Sequence, residues 1–171
     1  MQIRVRELGQ GRVRINELIQ PGSLEFADDV RQAGPIAVEG IAELIEATEE
    51  IRIAAKMSGR MEAVCDRCLE PLSWPVDAEF RLLYQPASEL TAQEDVEIDG
   101  KDTEIGYYEG HGLDLNDVVR EQILLSFPLQ KVCREDCLGL CPVCGKNRNQ
   151  ALCECRTEHV DDRWAALRKL Q

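Results

Sequence analysis

The sequence predicts an α+β fold: a largely antiparallel β-sheet with one or two packed helices and a small C-terminal cysteine-rich zinc clip. Two long segments alternate apolar and polar residues, a clear helix pattern comes only after residue 112, and six of the eight cysteines lie within residues 133–155. Strands that come first and helices that come later are typical of α+β proteins. We expect an α+β domain over residues 1–130, followed by the clip and a C-terminal helix over residues 131–171.

Two strands are predicted by apolar residues that recur with a period of two. In residues 50–65 the inward face would carry Ile51, Ile53, Ala55, Met57, Met61 and Ala63. In residues 72–84 it would carry Leu72, Trp74, Val76, Ala78, Phe80, Leu82 and Tyr84. Pro75 falls on the polar side, which indicates an edge or a bulge. We expect these two strands to pair.

The segment PIAVEGIAELIEAT, residues 35–48, is a third candidate strand. Its alternation is broken at Ile41 and Ile45, so the pattern leaves a helix open as the alternative.

Residues 85–112 differ in composition from the rest of the chain. They hold eight acidic side chains against one lysine, with four interspersed glycines. This composition predicts an acidic, solvated loop. The spacing of the carboxylates does not match a calcium-binding EF-hand loop, so we do not expect a divalent cation there.

A helix is predicted in DLNDVVREQILLSFP, residues 114–128. Asp114 is the expected N-cap, Asp117 would favour the positive end of the helix dipole, and Pro128 would end the helix. The residues that share one face are Leu115, Val118, Val119, Gln122 and Ile123. A second, short docking helix is predicted in DDRWAALRKL, residues 161–170, which begins with acids and ends with bases.

Charge and hydropathy exclude several classes of protein. No apolar run approaches the roughly 20 residues that span a bilayer, and the N-terminus lacks the apolar segment of a secretory signal. We therefore expect a cytoplasmic protein without a membrane partner. A net charge of -12 argues against indiscriminate nucleic-acid binding, although both ends of the chain carry a small excess of basic residues.

The cysteines predict a metal site, because thiols in a reducing compartment are seldom a disulfide framework. In CPVCG, Cys141 and Cys144 can reach one tetrahedral ion, and Gly145 follows where a tight turn needs positive φ. A turn-prone linker then leads to Cys153 and Cys155. The first-choice ligands of a structural zinc are therefore Cys141, Cys144, Cys153 and Cys155.

Other ligand sets stay open. Cys133 and Cys137 are alternates, because either could replace a member of the Cys153–Cys155 pair. A further Cys-x-x-Cys, formed by Cys65 and Cys68, falls between the two long strands at what should be a hairpin tip. The eight cysteines could thus form two four-thiolate sites, or this pair could be a redox dithiol or two inert thiols.

Zinc would replace a hydrophobic core in the clip, because residues 131–158 hold few large apolar side chains. Structural zinc contributes about 10–16 kcal/mol of folding free energy in isolated zinc fingers. A catalytic zinc usually employs histidine or carboxylate ligands, and neither His111 nor His159 lies in such a motif. We expect no enzyme activity and no small-molecule substrate.

The order of four motifs resembles one known family. VCDRCLEPL with its alternating strand, DLNDVVREQILLSFPL, CREDCLGLCPVCGKN and DDRWAALRKL are similar to the large ribosomal RNA subunit accumulation protein family, YceD. The resemblance covers residues 36–170. By position, the family's Cys-x-x-Cys corresponds to Cys65 and Cys68, and its C-terminal cluster begins at Cys133 and includes Cys141 and Cys144.

The resemblance implies a bacterial or plastid factor that is not an enzyme and is needed for 23S rRNA processing or accumulation. Its partner would be 23S rRNA or the pre-ribosomal large subunit, reached directly or through a ribosomal protein. If RNA contact is direct, the clip's basic side chains would make it, first of all Lys146 and Arg148. Lys131, Arg134 and Arg156 are the further candidates for this contact. The alternative functions are a zinc-stabilised adaptor that binds a basic ribosomal protein through the acidic loop, and a thiol redox protein.

Overall fold

The computed structural model describes residues 2–9, 11–26, 29–87 and 105–155. The predicted C-terminal helix and most of the predicted acidic loop lie outside these residues. The elements are β1 (Gln2–Arg4), α1 (Val5–Leu8), β2 (Val13–Ile19), β3 (Val30–Gln32), β4 (Ile36–Ile45), β5 (Glu50–Val64), β6 (Pro71–Pro86), β7 (Ile105–Tyr108), β8 (Gly112–Asp114) and α2 (Leu115–Ser126). Neither helix of this described part has the length and apolar character to cross a bilayer.

The main sheet has the strand order β2-β4-β5-β6-β7, and the short β3 pairs with the far end of β5. All of its pairings are antiparallel except that of β6 with β7. The predicted fold class is therefore confirmed. A separate two-stranded sheet joins β1 to β8.

The long hairpin of β5 and β6 confirms the predicted strand pair. Its register runs without interruption from Ile51 opposite Tyr84 to Val64 opposite Pro71. Pro75 sits opposite Arg60 with no bulge, and β7 pairs with β6 only from Leu83 onward. Pro75 thus lies where the other edge of β6 has no described strand beside it. An edge accommodates the missing N–H of proline.

The candidate segment at residues 35–48 forms a strand, β4, and not a helix. Ile36, Val38 and Ala42 face the core, whereas Ile41 lies on the opposite face and is partly exposed. The alternation is broken because apolar residues occupy both faces of this strand.

The predicted acidic loop overlaps three strands in the described residues. Gln85 and Pro86 belong to β6, Ile105–Tyr108 forms β7, which runs parallel to β6, and Gly112 begins β8. Strand therefore replaces loop at these three places, while residues 88–104 lie outside the described part.

Helix α2 begins as predicted. The Asp114 carboxylate accepts a hydrogen bond from the backbone N–H of Asn116 at 2.9 Å, and the helix ends at Ser126, two residues before Pro128. Leu115, Val118, Val119 and Ile123 are buried. They pack in one core with the inward face of β4, β5 and β6 and with Ile3 and Leu8 from the N-terminal elements. The hairpin tip of β5 and β6, residues 65–70, extends to the clip.

Candidate metal centres

The first cysteine cluster joins the hairpin tip to the clip. Cys65 and Cys68 come from the tip, and Cys133 and Cys137 come from the clip. The Sγ atoms of Cys65 and Cys137 are 4.0 Å apart, and those of Cys68 and Cys133 are 3.7 Å apart. All four sulfur atoms lie within 4.8 Å of one another. We call these four residues the bridging cluster.

The turn at the hairpin tip places the first two sulfurs. The N–H of Cys65 donates to the carbonyl of Glu70 at 2.9 Å, and the N–H of Leu69 donates to the carbonyl of Cys65 at 2.9 Å. Leu69 takes a positive φ of 59°, a conformation that only few non-glycine residues adopt. This tight turn brings Cys68 back beside Cys65.

The second cluster lies entirely within the clip and consists of Cys141, Cys144, Cys153 and Cys155. Its knuckle is closed by two backbone hydrogen bonds. The N–H of Cys141 donates to the carbonyl of Lys146 at 2.8 Å, and the N–H of Gly145 donates to the carbonyl of Cys141 at 2.9 Å. Gly145 has φ of 72°, the positive value expected for this position. We call these four residues the terminal cluster.

Both clusters fit a tetrahedral ion with four thiolate ligands. A Zn–S distance of about 2.3 Å places sulfur atoms about 3.8 Å apart in a tetrahedron. The two sulfur–sulfur distances in the bridging cluster lie on either side of this value. Bonded sulfurs in a disulfide are only about 2 Å apart, and all eight cysteines are free thiols in the structure. Each cluster could therefore hold a metal ion.

Backbone amides favour thiolates in both clusters. Desolvation opposes ionisation of Cys65, but the N–H groups of Cys68, Arg67 and Cys133 outweigh it and lower the pKa of Cys65 to about 6. The N–H groups of Cys144 and Val143 lower the pKa of Cys141 to about 6. In each cluster the backbone thus favours the thiolate form of one cysteine whose sulfur lies within 4.8 Å of three others.

Each cluster also contains a cysteine with a raised pKa. Desolvation and the neighbouring sulfurs, Cys137 first among them, raise the pKa of Cys133 to about 12. A hydrogen bond with Cys144, together with desolvation, raises the pKa of Cys155 to about 12. Sulfurs this close cannot all carry a negative charge unless a cation sits among them.

Asn149 connects the two clusters. Its Nδ2 donates to the Cys137 sulfur at 3.3 Å, and its Oδ1 accepts from the backbone N–H of Leu138 at 2.8 Å. Asn149 lies in the turn between the knuckle and Cys153, so a residue of the terminal loop orients a sulfur of the bridging cluster. Partners of this kind fix the orientation of metal ligands.

Arg67 fixes the clip against the hairpin tip. Its Nη1 donates to the carbonyls of Glu135 and Cys137, each at 3.3 Å. Its own carbonyl accepts from the N–H of Leu140 at 2.9 Å. Gly139 packs so closely here that a Cβ atom would come within 2.9 Å of that carbonyl oxygen.

The structure brings the first-choice ligands together in the terminal cluster. The alternates Cys133 and Cys137 join Cys65 and Cys68 instead, which is the two-site arrangement that the sequence left open. The candidate RNA-contact residues Lys146 and Arg148 are exposed on the clip. Neither side chain has an ion-pair partner among the described residues.

Two of the other clip cations have protein partners, and one lies outside the described residues. The Lys131 ammonium bonds to Asp29 and lies 3.8 Å from Asp66, and its side chain is only 18% exposed. Arg134 bonds to Asn149 and pairs with Asp136. Arg156 is outside the described part. Lys131 therefore serves to attach the clip, which leaves Lys146 and Arg148 as the clip's free cations among the described residues.

Sequence reasoning did not identify Asn149 or Gly139 as part of the site, nor the contacts that Arg67 makes with the clip. The polar run KNRNQ suggested only a turn, and no local pattern shows that Arg67 lies across from residues 135–140. A glycine two residues after Cys137 was the one available signal, since it resembles the glycine that follows a knuckle cysteine.

Fold and site together define the class: an α+β sheet protein with a C-terminal region organised around two four-cysteine clusters. The sequence profile described as "Large ribosomal RNA subunit accumulation protein YceD" matches residues 53–171. The chain belongs to this family, as its motifs indicated.

Similar proteins occur in several bacteria. The uncharacterized protein YlbN of Bacillus subtilis is 29% identical over 159 residues, which cover 92% of this chain and 84% of YlbN. The uncharacterized protein Rv2926c of Mycobacterium tuberculosis is 28% identical over 163 residues, which cover 86% of this chain and 74% of Rv2926c. No solved structure matches this chain.

Proposed function

We propose that this protein is a non-enzymatic cytoplasmic factor that supports 23S rRNA processing and accumulation, and through it the assembly of the large ribosomal subunit. The observation that carries this proposal is membership of a family described by the accumulation of the large-subunit ribosomal RNA. The cysteine clusters support the non-enzymatic part of this proposal, because groups of four thiol ligands are typical of structural metal sites.

Zinc is the metal we propose for both clusters. Four sulfur ligands in tetrahedral arrangement favour zinc over the hard cations, which prefer oxygen. The terminal cluster would fold the end of the clip, and the bridging cluster would fasten the clip to the hairpin tip. In both places the ion would supply stability where large apolar side chains are scarce.

Lys146 and Arg148 are the residues we propose for contact with the phosphate backbone of RNA. Both flank Asn147, which forms an antiparallel bridge with Leu140, and the carbonyl of Lys146 accepts from the N–H of Cys141 at 2.8 Å. The N–H of Arg148 also donates to the carbonyl of Gly139 at 2.9 Å. A backbone fixed in this way presents two cations with little loss of conformational entropy on binding.

The function is tested by depleting the protein from its own host and measuring mature 23S rRNA and its precursors. We expect mature 23S rRNA and free large subunits to fall while 16S rRNA is unchanged. Wild-type protein should restore them, and Lys146→Glu with Arg148→Glu should restore them poorly. Unchanged 23S rRNA after complete depletion would rule the function out.

Direct RNA contact requires a separate measurement with purified protein and transcribed 23S fragments. Binding should weaken with added salt and should weaken further in the Lys146→Glu, Arg148→Glu variant. A matched double reversal, Arg14→Glu with Arg81→Glu, changes two exposed cations on the sheet and serves as the control. Equal losses in both variants would contradict a role for the clip. No binding in any salt would favour action through a ribosomal protein.

A further inference from the structure

A groove of about 580 Å³ runs beside α2, where the helix lies next to β7 and β8. Its lining includes Leu124 and Leu125, which stand on the side of α2 away from the core. Leu124 is 46% exposed and Leu125 is 69% exposed, and no described residue covers them. Adjacent exposed leucines in a groove are typical of an interaction surface.

The rim of this groove is acidic. Its charged lining residues are Glu109, Asp114, Asp117, Glu121 and one base, Arg120. No ion pair neutralises Asp117 or Glu121 within the described part of the chain. Burial first, and then the charge of Glu121, raise the pKa of Tyr84, which also lines the groove, to about 12.

The charge of the rim argues against three kinds of occupant. RNA phosphates and anionic lipid headgroups would both be repelled by it. A second copy of this chain, docked about a two-fold axis, would place acidic rim against acidic rim. A polypeptide that carries both cationic and apolar side chains meets no such repulsion.

We propose that the groove beside α2 binds a lysine- and arginine-rich polypeptide segment whose apolar side chains cover Leu124 and Leu125. The cations of the segment meet Asp117 and Glu121 on the rim. This surface is separate from the clip, and the inference does not rest on the proposed contact with RNA. The protein thereby has an acidic surface for a basic polypeptide on α2 and two free cations on the clip.

The test uses the full-length zinc-loaded protein and two labelled synthetic peptides. In one peptide lysine and arginine alternate with leucine, and in the other serine replaces every leucine. We expect the leucine peptide to bind more tightly. Leu124→Ser with Leu125→Ser should weaken it by about tenfold, which corresponds to loss of apolar burial worth about 1.4 kcal/mol. Asp117→Lys with Glu121→Lys should weaken both peptides.

Leu18→Ser and Glu39→Lys are the matched controls. Leu18 is 57% exposed on β2, Glu39 is exposed on β4, and neither residue lines the groove. We expect both controls to bind the leucine peptide as the unaltered protein does. The proposal is overturned if the serine peptide binds the unaltered protein as tightly as the leucine peptide does, or if the controls weaken binding as much as the groove variants.

Discussion

The backbone N–H of Asp66 donates to the carbonyl of Lys131 at 2.8 Å, and the N–H of Lys131 donates back to the Asp66 carboxylate at 2.6 Å. This reciprocal pair links the hairpin tip to the first residue of the clip. It lies one residue from Cys65 and two residues from Cys133. Protein contacts therefore help to align the two halves of the bridging cluster.

Asp66→Ala should loosen this alignment. The variant leaves the N–H of Lys131 without its acceptor and removes the carboxylate near the Lys131 ammonium. We expect a loss of about 1 kcal/mol in the free energy of unfolding, because the bond is partly solvated. Urea denaturation of the zinc-loaded protein measures it. Asp77→Ala, which removes only the exposed pair with Lys56, should cost at most about 0.5 kcal/mol, and an equal cost for both would contradict the alignment role.

Two metal ions per chain are expected, and each cluster should lose its ion independently. Cys65→Ser with Cys137→Ser should leave one zinc in the terminal cluster. Cys141→Ser with Cys153→Ser should leave one in the bridging cluster. Elemental analysis of protein purified under reducing conditions measures this, and cobalt substitution reports tetrahedral sulfur ligation at the remaining site.

Three measurements test the assignment of the eight cysteines to two separate metal sites. If either double variant loses both ions while the sheet stays folded by circular dichroism, the clusters do not bind metal separately. If the unaltered protein binds one ion, only one cluster is a metal site. Ser23→Ala with Ser58→Ala, neither of which belongs to a cluster, controls for handling losses and should keep two ions.

Much of the sheet was predictable because its strongest signals are local. Ile51 to Ala63 alternate over an entire strand, so the period alone identifies β5 and its buried face. The pairing of Leu83 with Ile105 was not predictable, since β7 is four residues long and follows a long acidic segment. Short strands are defined by the neighbour they pair with, and that information is not local.

The candidate site was only half predictable for the same reason. The spacing of Cys141 and Cys144 predicts a metal-binding knuckle. The partners of Cys65 and Cys68 were not predictable in this way, because they come from a distant part of the chain. The fold decides that choice by placing the hairpin tip against residues 130–140. Lys131 is the clearest example of what the sequence could not predict. Its basic side chain near the clip suggested contact with phosphate, but it forms ion pairs with Asp29 and Asp66.

Asn149→Ala should weaken metal binding in the bridging cluster, although Asn149 is not a ligand in either cluster. The variant removes the hydrogen bond to the Cys137 sulfur and the acceptor for the N–H of Leu138. Loss of such supporting partners typically costs about 10–100-fold in metal affinity. Competition with a chromogenic chelator measures the zinc affinity. The Cys141→Ser, Cys153→Ser protein serves as the background, so that only zinc in the bridging cluster is measured.

Gln150→Ala is the matched control for Asn149, because Gln150 donates to Glu70 at 2.9 Å but does not contact a sulfur. The zinc affinity of this variant should be within about twofold of that of the background protein, because the hydrogen bond that is lost is exposed at the surface. Equal weakening by the two variants would mean that the turn as a whole matters and that the bond to Cys137 does not.

Gly139 and Gly145 offer a comparison in which backbone conformation is held constant and packing differs. Their φ values are 70° and 72°, so alanine carries the same left-handed penalty of about 1 kcal/mol at either position. At Gly145 the new Cβ meets no atom within 4 Å, whereas at Gly139 it comes within 2.9 Å of the Arg67 carbonyl oxygen. That oxygen accepts from the N–H of Leu140.

Gly139→Ala should therefore cost more than Gly145→Ala, by roughly 1–3 kcal/mol, because the clip must move away from the hairpin tip. Hydrogen exchange should reveal where the cost arises: the Leu140 amide should exchange faster in Gly139→Ala and remain protected in Gly145→Ala. If the two variants unfold at the same urea concentration, the close approach at Arg67 does not hold the clip. The attachment would then depend on the bridging cluster and on the Asp66–Lys131 pair.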